Sequence, residues 1–135
     1  FTLMRVETGI DLVEVARMEK SLASPRFWQR VFSPREREEI GARPNRAQSA
    51  AAVFAAKEAC AKAMGTGFRG IRLVEIELLH DGSGKPELHL SGAAGEFAQS
   101  SGLAFSVSLT HTRQHAAAVV VAYSDREKEQ QGWKL

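Results

Sequence analysis

The spacing of apolar and polar positions changes character several times along the chain, and each change predicts an element. Arg5 to Asp11 reads as a first strand, and Asp11-Leu12-Val13-Glu14 has the form of a capping box, a carboxylate at the N-cap with Glu three residues on. A helix is therefore expected to start at Asp11 and to run to about Ala23, ahead of Ser24-Pro25. A short arginine-bearing segment follows from Phe27 to Val31. Ser33-Pro34-Arg35-Glu36 is a second start signal, with Ser as N-cap, Pro at the first helical position and Glu closing the box, and that helix is expected to end near Gly41. Asn45-Arg46-Ala47-Gln48 opens the longest helical pattern, which ends at Met64 before Gly65-Thr66-Gly67.

The second half reads mainly as strands. Ile71 to Leu79 and Glu87 to Leu90 flank Asp81-Gly82-Ser83-Gly84-Lys85-Pro86, a run of turn formers, and predict a hairpin. Gly92 to Ser101 predicts a short helix. Ala104 to Leu109 alternates at the strand period, Ala116 to Tyr123 is a buried strand, and Thr110 to His115 connects them. From Ser124 the chain is polar and aperiodic, so residues 124–135 are expected to form a disordered C-terminal tail.

Composition narrows the class. A chain of 135 residues with 44% hydrophobic and 25% charged residues fits one globular domain with a core of its own. The single cysteine, Cys60, excludes an internal disulfide framework, and no Cys/His cluster has zinc-ligand spacing, so a reducing, cytoplasmic setting is expected. No stretch is apolar for long enough to cross a membrane, and the first residues lack the sections of a signal peptide; Met4 is taken as the natural start. The net charge of +2 argues against general polyanion binding. Between Glu14 and Arg46, however, eight basic residues face five acidic ones, a local excess of +3 that suits either a solvated surface or a docking face for an acidic partner.

The candidate chemistry concentrates in the long helix. Ala50 to Met64 is nearly all small or apolar, and only Lys57, Glu58 and Lys62 carry charge, so each of these requires a partner or an ion if the helix is buried. Glu58 and Lys62, four apart with Glu first, share a face in the order that favours an ion pair. A buried structural pair costs desolvation that apolar residues avoid, which favours metal and phosphate binding instead. Asp11, at a strand end and helix start, could complete a two-carboxylate magnesium site or serve as a plain N-cap. His111, in a loop with Thr110, Thr112 and Arg113, belongs to a donor cluster suited to phosphate oxygens. Gly65-Thr66-Gly67 lacks the Walker A spacing, and Cys60 reads as a small buried filler.

Four segments, taken together, carry a resemblance. Phe54-Ala55-Ala56-Lys57-Glu58-Ala59, continuing through Lys62-Ala63 to Gly65-Thr66-Gly67, resembles the FxxKEAxxKAxGTG signature of the short-type 4'-phosphopantetheinyl transferases, the holo-[acyl-carrier-protein] synthases. Gly9 to Arg17 is similar to the family's first motif, Arg26-Phe27 through Val31-Phe32-Ser33 with Glu36 to its second, and Ser106-Val107-Ser108-Leu109-Thr110-His111 to its SxSxTH hairpin. The resemblance covers about Val6 to Ala122.

This resemblance implies Mg²⁺-dependent transfer of phosphopantetheine from coenzyme A to a serine of acyl carrier protein. Asp11 and Glu58 would hold the ion, and Lys62 would contact phosphates and stabilise the leaving group. Thr110 and His111 would meet the nucleotide's phosphates, Gly84-Lys85-Pro86 would lie against adenine, and Gly65 would border the nucleotide. Arg17, with Arg26 and Arg30, would dock the acidic carrier protein. Pattern and resemblance together predict an α+β domain at 4–123, with an antiparallel sheet packed on the long buried helix and homotrimers that share active sites between protomers. Val53 stands where family members often carry an arginine, and Arg46 is the candidate to replace its phosphate contact. The competing readings are a basic-surface module that binds nucleic acid and an inactive relative of the family.

Overall fold

The computed structural model describes residues 4–124. Strand β1 (Val6–Glu14) leads into three short helices, α1 (Val15–Ser21), α2 (Pro25–Val31) and α3 (Pro34–Gly41), and then into the long helix α4 (Arg46–Met64). A 3₁₀ turn at Leu73–Glu75 precedes the hairpin β2 (Ile76–His80) and β3 (Pro86–Leu90). Helix α5 (Gly92–Ser101) and the hairpin β4 (Leu103–His111) and β5 (His115–Ser124) complete the domain. The expected α+β architecture is what forms: a three-stranded antiparallel sheet in the order β1-β5-β4, a separate two-stranded sheet β2-β3, and α4 laid across β1 and β5.

Small residues set the spacing between α4 and the sheet. Ala116, Ala118, Val120 and Ala122 alternate along β5 as its buried positions, and Ala51, Ala55, Ala59 and Ala63 are buried along α4. Gly9 of β1 marks the tightest point. A Cβ there would land on the carbonyl oxygen of Ala59 and lie 2.8 Å from the amide nitrogen of Ala63. No described residue covers the opposite face of the sheet. Ile10 (68% exposed) and Leu12 (65%) project from it on β1, beside Val119 (39%) on β5.

Most helix signals act as expected. Ser33 and Glu36 form both halves of the capping box of α3, Asn45 caps α4 through the amide of Gln48, and Gly65 ends α4 in the left-handed conformation at φ 78°. The first box does not form. β1 continues through Glu14, paired with β5 up to Glu14↔His115, and α1 begins at Val15 without a side-chain cap. Cross-strand bonds over the whole of β1 take the backbone that a helix starting at Asp11 would need, and the amide of Val15 still donates to Gln114 O at 2.9 Å.

The strand expected over Ile71–Leu79 starts only at Ile76. Glu75 accepts from the amides of Arg72 (2.7 Å) and Ala93 (2.9 Å), which bends the preceding residues into the 3₁₀ turn and ties them to α5. His111 is the last residue of β4, paired with Ala116, so the connection to β5 shortens to Thr112–Gln114. Ser124, expected to open the tail, closes β5 by bonding Arg5 in both directions. The remainder of the expected tail, and Phe1–Leu3, lie outside the described residues.

The close approach of β1 to α4 makes a prediction. Gly9→Ala should lower unfolding free energy by roughly 3 kcal/mol, the upper end for overpacking in a core, because backbone rather than a flexible side chain must give way. Urea titration of the purified variant checks this. A loss below about 1 kcal/mol would show that α4 shifts off the sheet at little cost.

Candidate functional site

The residues expected to act together occupy three places in one protomer. The first is a cavity of about 490 Å³ where the end of β1, α1, α2 and the middle of α4 meet. Asp11, Glu14, Arg17, Phe27, Phe54 and Glu58 line it. Gly9 and Asp11 fall on the inward phase of β1, so the close approach of β1 to α4 brings Asp11 to the helix face that carries Glu58 and Lys62.

Lys62 does not pair with Glu58 at helical spacing as expected. Its ammonium donates to Asp11 Oδ1 at 3.1 Å and to the carbonyl of Ile10 at 2.9 Å, so β1 offers two acceptors at once and outcompetes the helix neighbour. The Glu58 carboxylate makes no hydrogen bond or ion pair among the described residues. Burial pushes its pKa above the usual carboxylate range, the charge on Asp11 adds to that, and Lys62 opposes both. A half-buried, unpaired carboxylate beside another carboxylate and an ammonium is set up for a cation and an anionic ligand together. Gly65, at the C-cap, donates its amide to Lys62 O at 3.0 Å and borders the same end of α4.

The second place is a cavity of about 450 Å³ between α3, the start of α4, β2 and β4. Lys85, Pro86 and His111 reach it, together with Arg43, Gln48 and His80. Asp81 holds the loop that presents Lys85 and Pro86, because its carboxylate accepts from Ser83 N (2.8 Å), Ser83 Oγ (2.7 Å) and Lys85 N (2.9 Å). The Ser83 hydroxyl, followed by the two amides, keeps the Asp81 pKa below its usual range. Gly84 takes φ 88° inside this loop, a value that disfavours any side chain. The third place is the uncovered face of the sheet. Thr110 is exposed there, across from Ala117 and Leu12, while its neighbour His111 belongs to the second cavity.

The two cavities share no lining residue. Within one chain the structure therefore brings Asp11 to Glu58 at the first cavity and to Lys62 through an ion pair, gathers Lys85, Pro86 and His111 at the second, leaves Gly65 and Gly84 outside both linings, and keeps the two sets apart.

Arg17 lines the first cavity, and Arg26 and Arg30 are exposed on α2 without an ion pair among the described residues. Arg46, the candidate for the contact expected of an arginine at position 53, packs on α2 instead of lining either cavity. Its guanidinium lies 4.4 Å from the ring centroid of Trp28, in a cation–π contact. Val53 itself is 5% exposed in the core. Arg43, which sequence reasoning did not single out, lines the second cavity and makes no side-chain hydrogen bond or ion pair among the described residues. Val53 lines this same cavity, and distance along the chain does not choose between Arg43 and Arg46 as its neighbour there. Cys60 is fully buried and burial pushes its thiol up to about 12, which fits a filler rather than a nucleophile.

Comparison with known proteins gives this division a context. Residues 7–120 match the family model for the 4'-phosphopantetheinyl transferase superfamily. The chain belongs to that superfamily. Holo-[acyl-carrier-protein] synthase of Chloroflexus aggregans is 42% identical over 87% of this transferase and 94% of its relative. That of Caldanaerobacter subterraneus is 37% identical over 88% and 95%. Among solved structures, a Chronobacterium ammoniagenes synthase in complex with coenzyme A superposes at a TM-score of 0.79, with 29% identity over 90% of this transferase and 99% of that chain. A Bacillus anthracis synthase in complex with coenzyme A (3',5'-ADP) gives 0.77, with 34% identity over 91% and 100%. No helix among the described residues of the transferase is long and apolar enough to cross a membrane.

Proposed function

We infer that the protein transfers 4'-phosphopantetheine from coenzyme A to a serine of apo acyl carrier protein and releases adenosine 3',5'-bisphosphate. The observation that carries this reading is Asp11, which lines one cavity with Glu58 and pairs with Lys62, in a chain of this superfamily. Asp11 and Glu58 would hold Mg²⁺. The donor set suits that ion: no group of three or more His, Cys, Asp or Glu side chains among the described residues could enclose a metal, and Mg²⁺ commonly uses one or two carboxylates alongside waters and substrate phosphates. When bound, it neutralises charge on the pyrophosphate oxygens.

The protein's own groups account for the rest. The serine oxygen attacks the phosphorus that bears pantetheine, and the bond from that phosphorus to the bridging oxygen breaks. Adenosine 3',5'-bisphosphate departs with that oxygen, and Lys62 stabilises the charge that develops on it. Glu58, whose proton affinity burial and Asp11 both raise, takes the serine proton.

The nucleotide half of the site comes from a second copy. The Lys85–His111 cavity of one protomer faces the Asp11–Glu58 cavity of the next in a homotrimer, with Gly84-Lys85-Pro86 against adenine and Thr110, His111 and Arg43 toward phosphates. Two observations support this: the complementary sets lie in separate cavities of each chain, and the sheet face carrying Ile10, Leu12 and Val119 is uncovered. Arg17, at the mouth of the first cavity, with Arg26 and Arg30 on α2, receives the acidic carrier protein. The unit that acts is a single cytoplasmic domain spanning 4–123.

Three outcomes test this reading. Intact mass spectrometry of apo acyl carrier protein incubated with the enzyme, coenzyme A and Mg²⁺ should show addition of one phosphopantetheine, and EDTA should abolish it. Asp11→Ala and Glu58→Ala should each lose on the order of a hundredfold or more in kcat while melting cooperatively, since each removes a ligand rather than core volume. A mass shift that persists in EDTA would reject the metal assignment.

Light scattering should return three times the mass of one chain, and Val119→Lys, which puts a charge on the uncovered sheet face, should lower both that mass and coenzyme A affinity. A fully active monomer would reject the shared site.

For docking, Arg17→Glu should raise KM for the carrier protein severalfold, as should raised salt, while coenzyme A affinity measured by calorimetry stays within about twofold. Equal weakening of both substrates would place Arg17 in the coenzyme A site instead.

A further inference from the structure

Lys57 and Glu36 are fully buried and pair at 2.6 Å, although neither belongs to the sites described above. The ammonium of Lys57 also donates to the carbonyls of Leu73 (2.9 Å) and Ile76 (2.7 Å), which gives all three of its protons an acceptor. The Glu36 carboxylate accepts in addition from the amides of Ser33 (2.9 Å) and Leu78 (2.8 Å). One pair therefore joins α3, α4, the 3₁₀ turn and β2.

Stability alone is a poor reason for such a pair, since apolar side chains of similar volume commonly serve as well or better in a core. Apart from Lys62 and Arg46 near its ends, α4 has few directional contacts to fix its rotation. Ala50, Ala51, Ala55, Ala56, Ala59, Ala61 and Ala63 are all buried, so the helix is lined by nearly uniform small side chains that interlock weakly. A directional pair in the middle of it supplies what shape does not. Lys57 is the residue before Glu58, so rotation of α4 that lengthens the Lys57–Glu36 bond also turns Glu58 relative to Asp11. The same pair holds β2, and β2 with its partner strand carries the loop that presents Lys85 and Pro86.

We propose that Lys57 and Glu36 are positioning residues for the transfer reaction: their buried pair sets the rotation of α4, and so the aim of Glu58, and seats the hairpin that carries Lys85 and Pro86. The proposal rests on the reading of Glu58 and Lys85 given above. Neither Lys57 nor Glu36 touches substrate. Both act through the elements that they join.

Two variants separate positioning from support of the fold. Lys57→Met with Glu36→Gln removes both charges at nearly constant volume, and Glu36→Asp keeps the ion pair but withdraws the carboxylate by one methylene. Each is compared with the parent by thermal melting, by calorimetric titration with Mg²⁺, and by kcat and KM for both substrates. The expected result for either variant, once folded, is a kcat at least tenfold lower, Mg²⁺ affinity severalfold weaker and KM for coenzyme A raised. KM for the carrier protein should stay within about twofold of the parent, since Arg17 stands on α1. A folded variant with parental kcat and Mg²⁺ affinity would overturn the proposal. So would failure of both to fold, because the pair would then serve the fold alone. An inactive parent enzyme would reject the transferase reading itself, whichever way the variants compare.

Discussion

The close approach of α4 to β1 at Gly9 governs where Asp11 meets the long helix. With glycine on the strand and alanine on the helix, the two backbones come within a distance that no side chain larger than hydrogen permits at Gly9. Two residues further along β1, on the same inward phase, stands Asp11, and on the facing stretch of α4 stand Glu58 and Lys62. A carboxylate side chain is short. Were a larger residue at position 9 to push the strand away, Asp11 could no longer meet the Lys62 ammonium or stand beside Glu58. The small residues along the neighbouring strand β5 keep the same separation, so the sheet stays flush with α4.

Closeness of this kind has an electrostatic consequence. An alanine helix packed on most sides offers little water, so each charge on it must be answered locally. The three charges are answered in three ways. Lys57 is enclosed and fully bonded, Lys62 lies at the edge, exposed enough to leave Asp11 for a phosphate, and Glu58 is half-buried with no partner among the described residues. The gradient from enclosed to available runs along one helix within six residues. It separates the charge that holds the structure from those that can bind a ligand.

The fold was legible wherever a local rule acted alone. The Ser33-Pro34-Arg35-Glu36 box, the Gly65 stop and the alternation along β4 and β5 all depend on nearest neighbours, and all appear in the structure. The misreadings share one cause, a distant partner that overrides the local signal. Asp11 has the pattern of a cap, but β5 claims the backbone around it, and Glu75 looks like part of a strand until Ala93 draws on its carboxylate. In the candidate site, the identities of Asp11, Glu58 and Lys62 were readable, but their pairing was not. The i to i+4 rule compares neighbours on one helix and knows nothing of the strand opposite. For the same reason Lys57 could be seen to need a partner, whereas Glu36, twenty-one residues away, could not be named as that partner.

The local excess of positive charge changes meaning once the partners are known. Of the eight basic residues between Glu14 and Arg46, Arg35 is paired with Glu77, Arg37 donates to the carbonyl of Phe32, and Arg46 lies over Trp28. On the acidic side, Glu36 is buried against Lys57, and Glu39 binds the amide and ring of His80. The ion pairs Arg35–Glu77 and Glu36–Lys57 cancel their own fields, whereas Arg37 and Arg46, on a carbonyl and a ring, keep their charge and are fixed in place. What stays unpaired among the described residues is Arg17, Lys20, Arg26 and Arg30 on α1 and α2, and Arg43 at the second cavity. A diffuse excess thus resolves into two separate positive regions. One lies beside the cavity that holds Asp11 and Glu58, where an acidic protein would approach. The other lies beside Lys85 and His111, where a phosphate would rest. Each region therefore carries its own attraction for a different anion, and neither has to serve both.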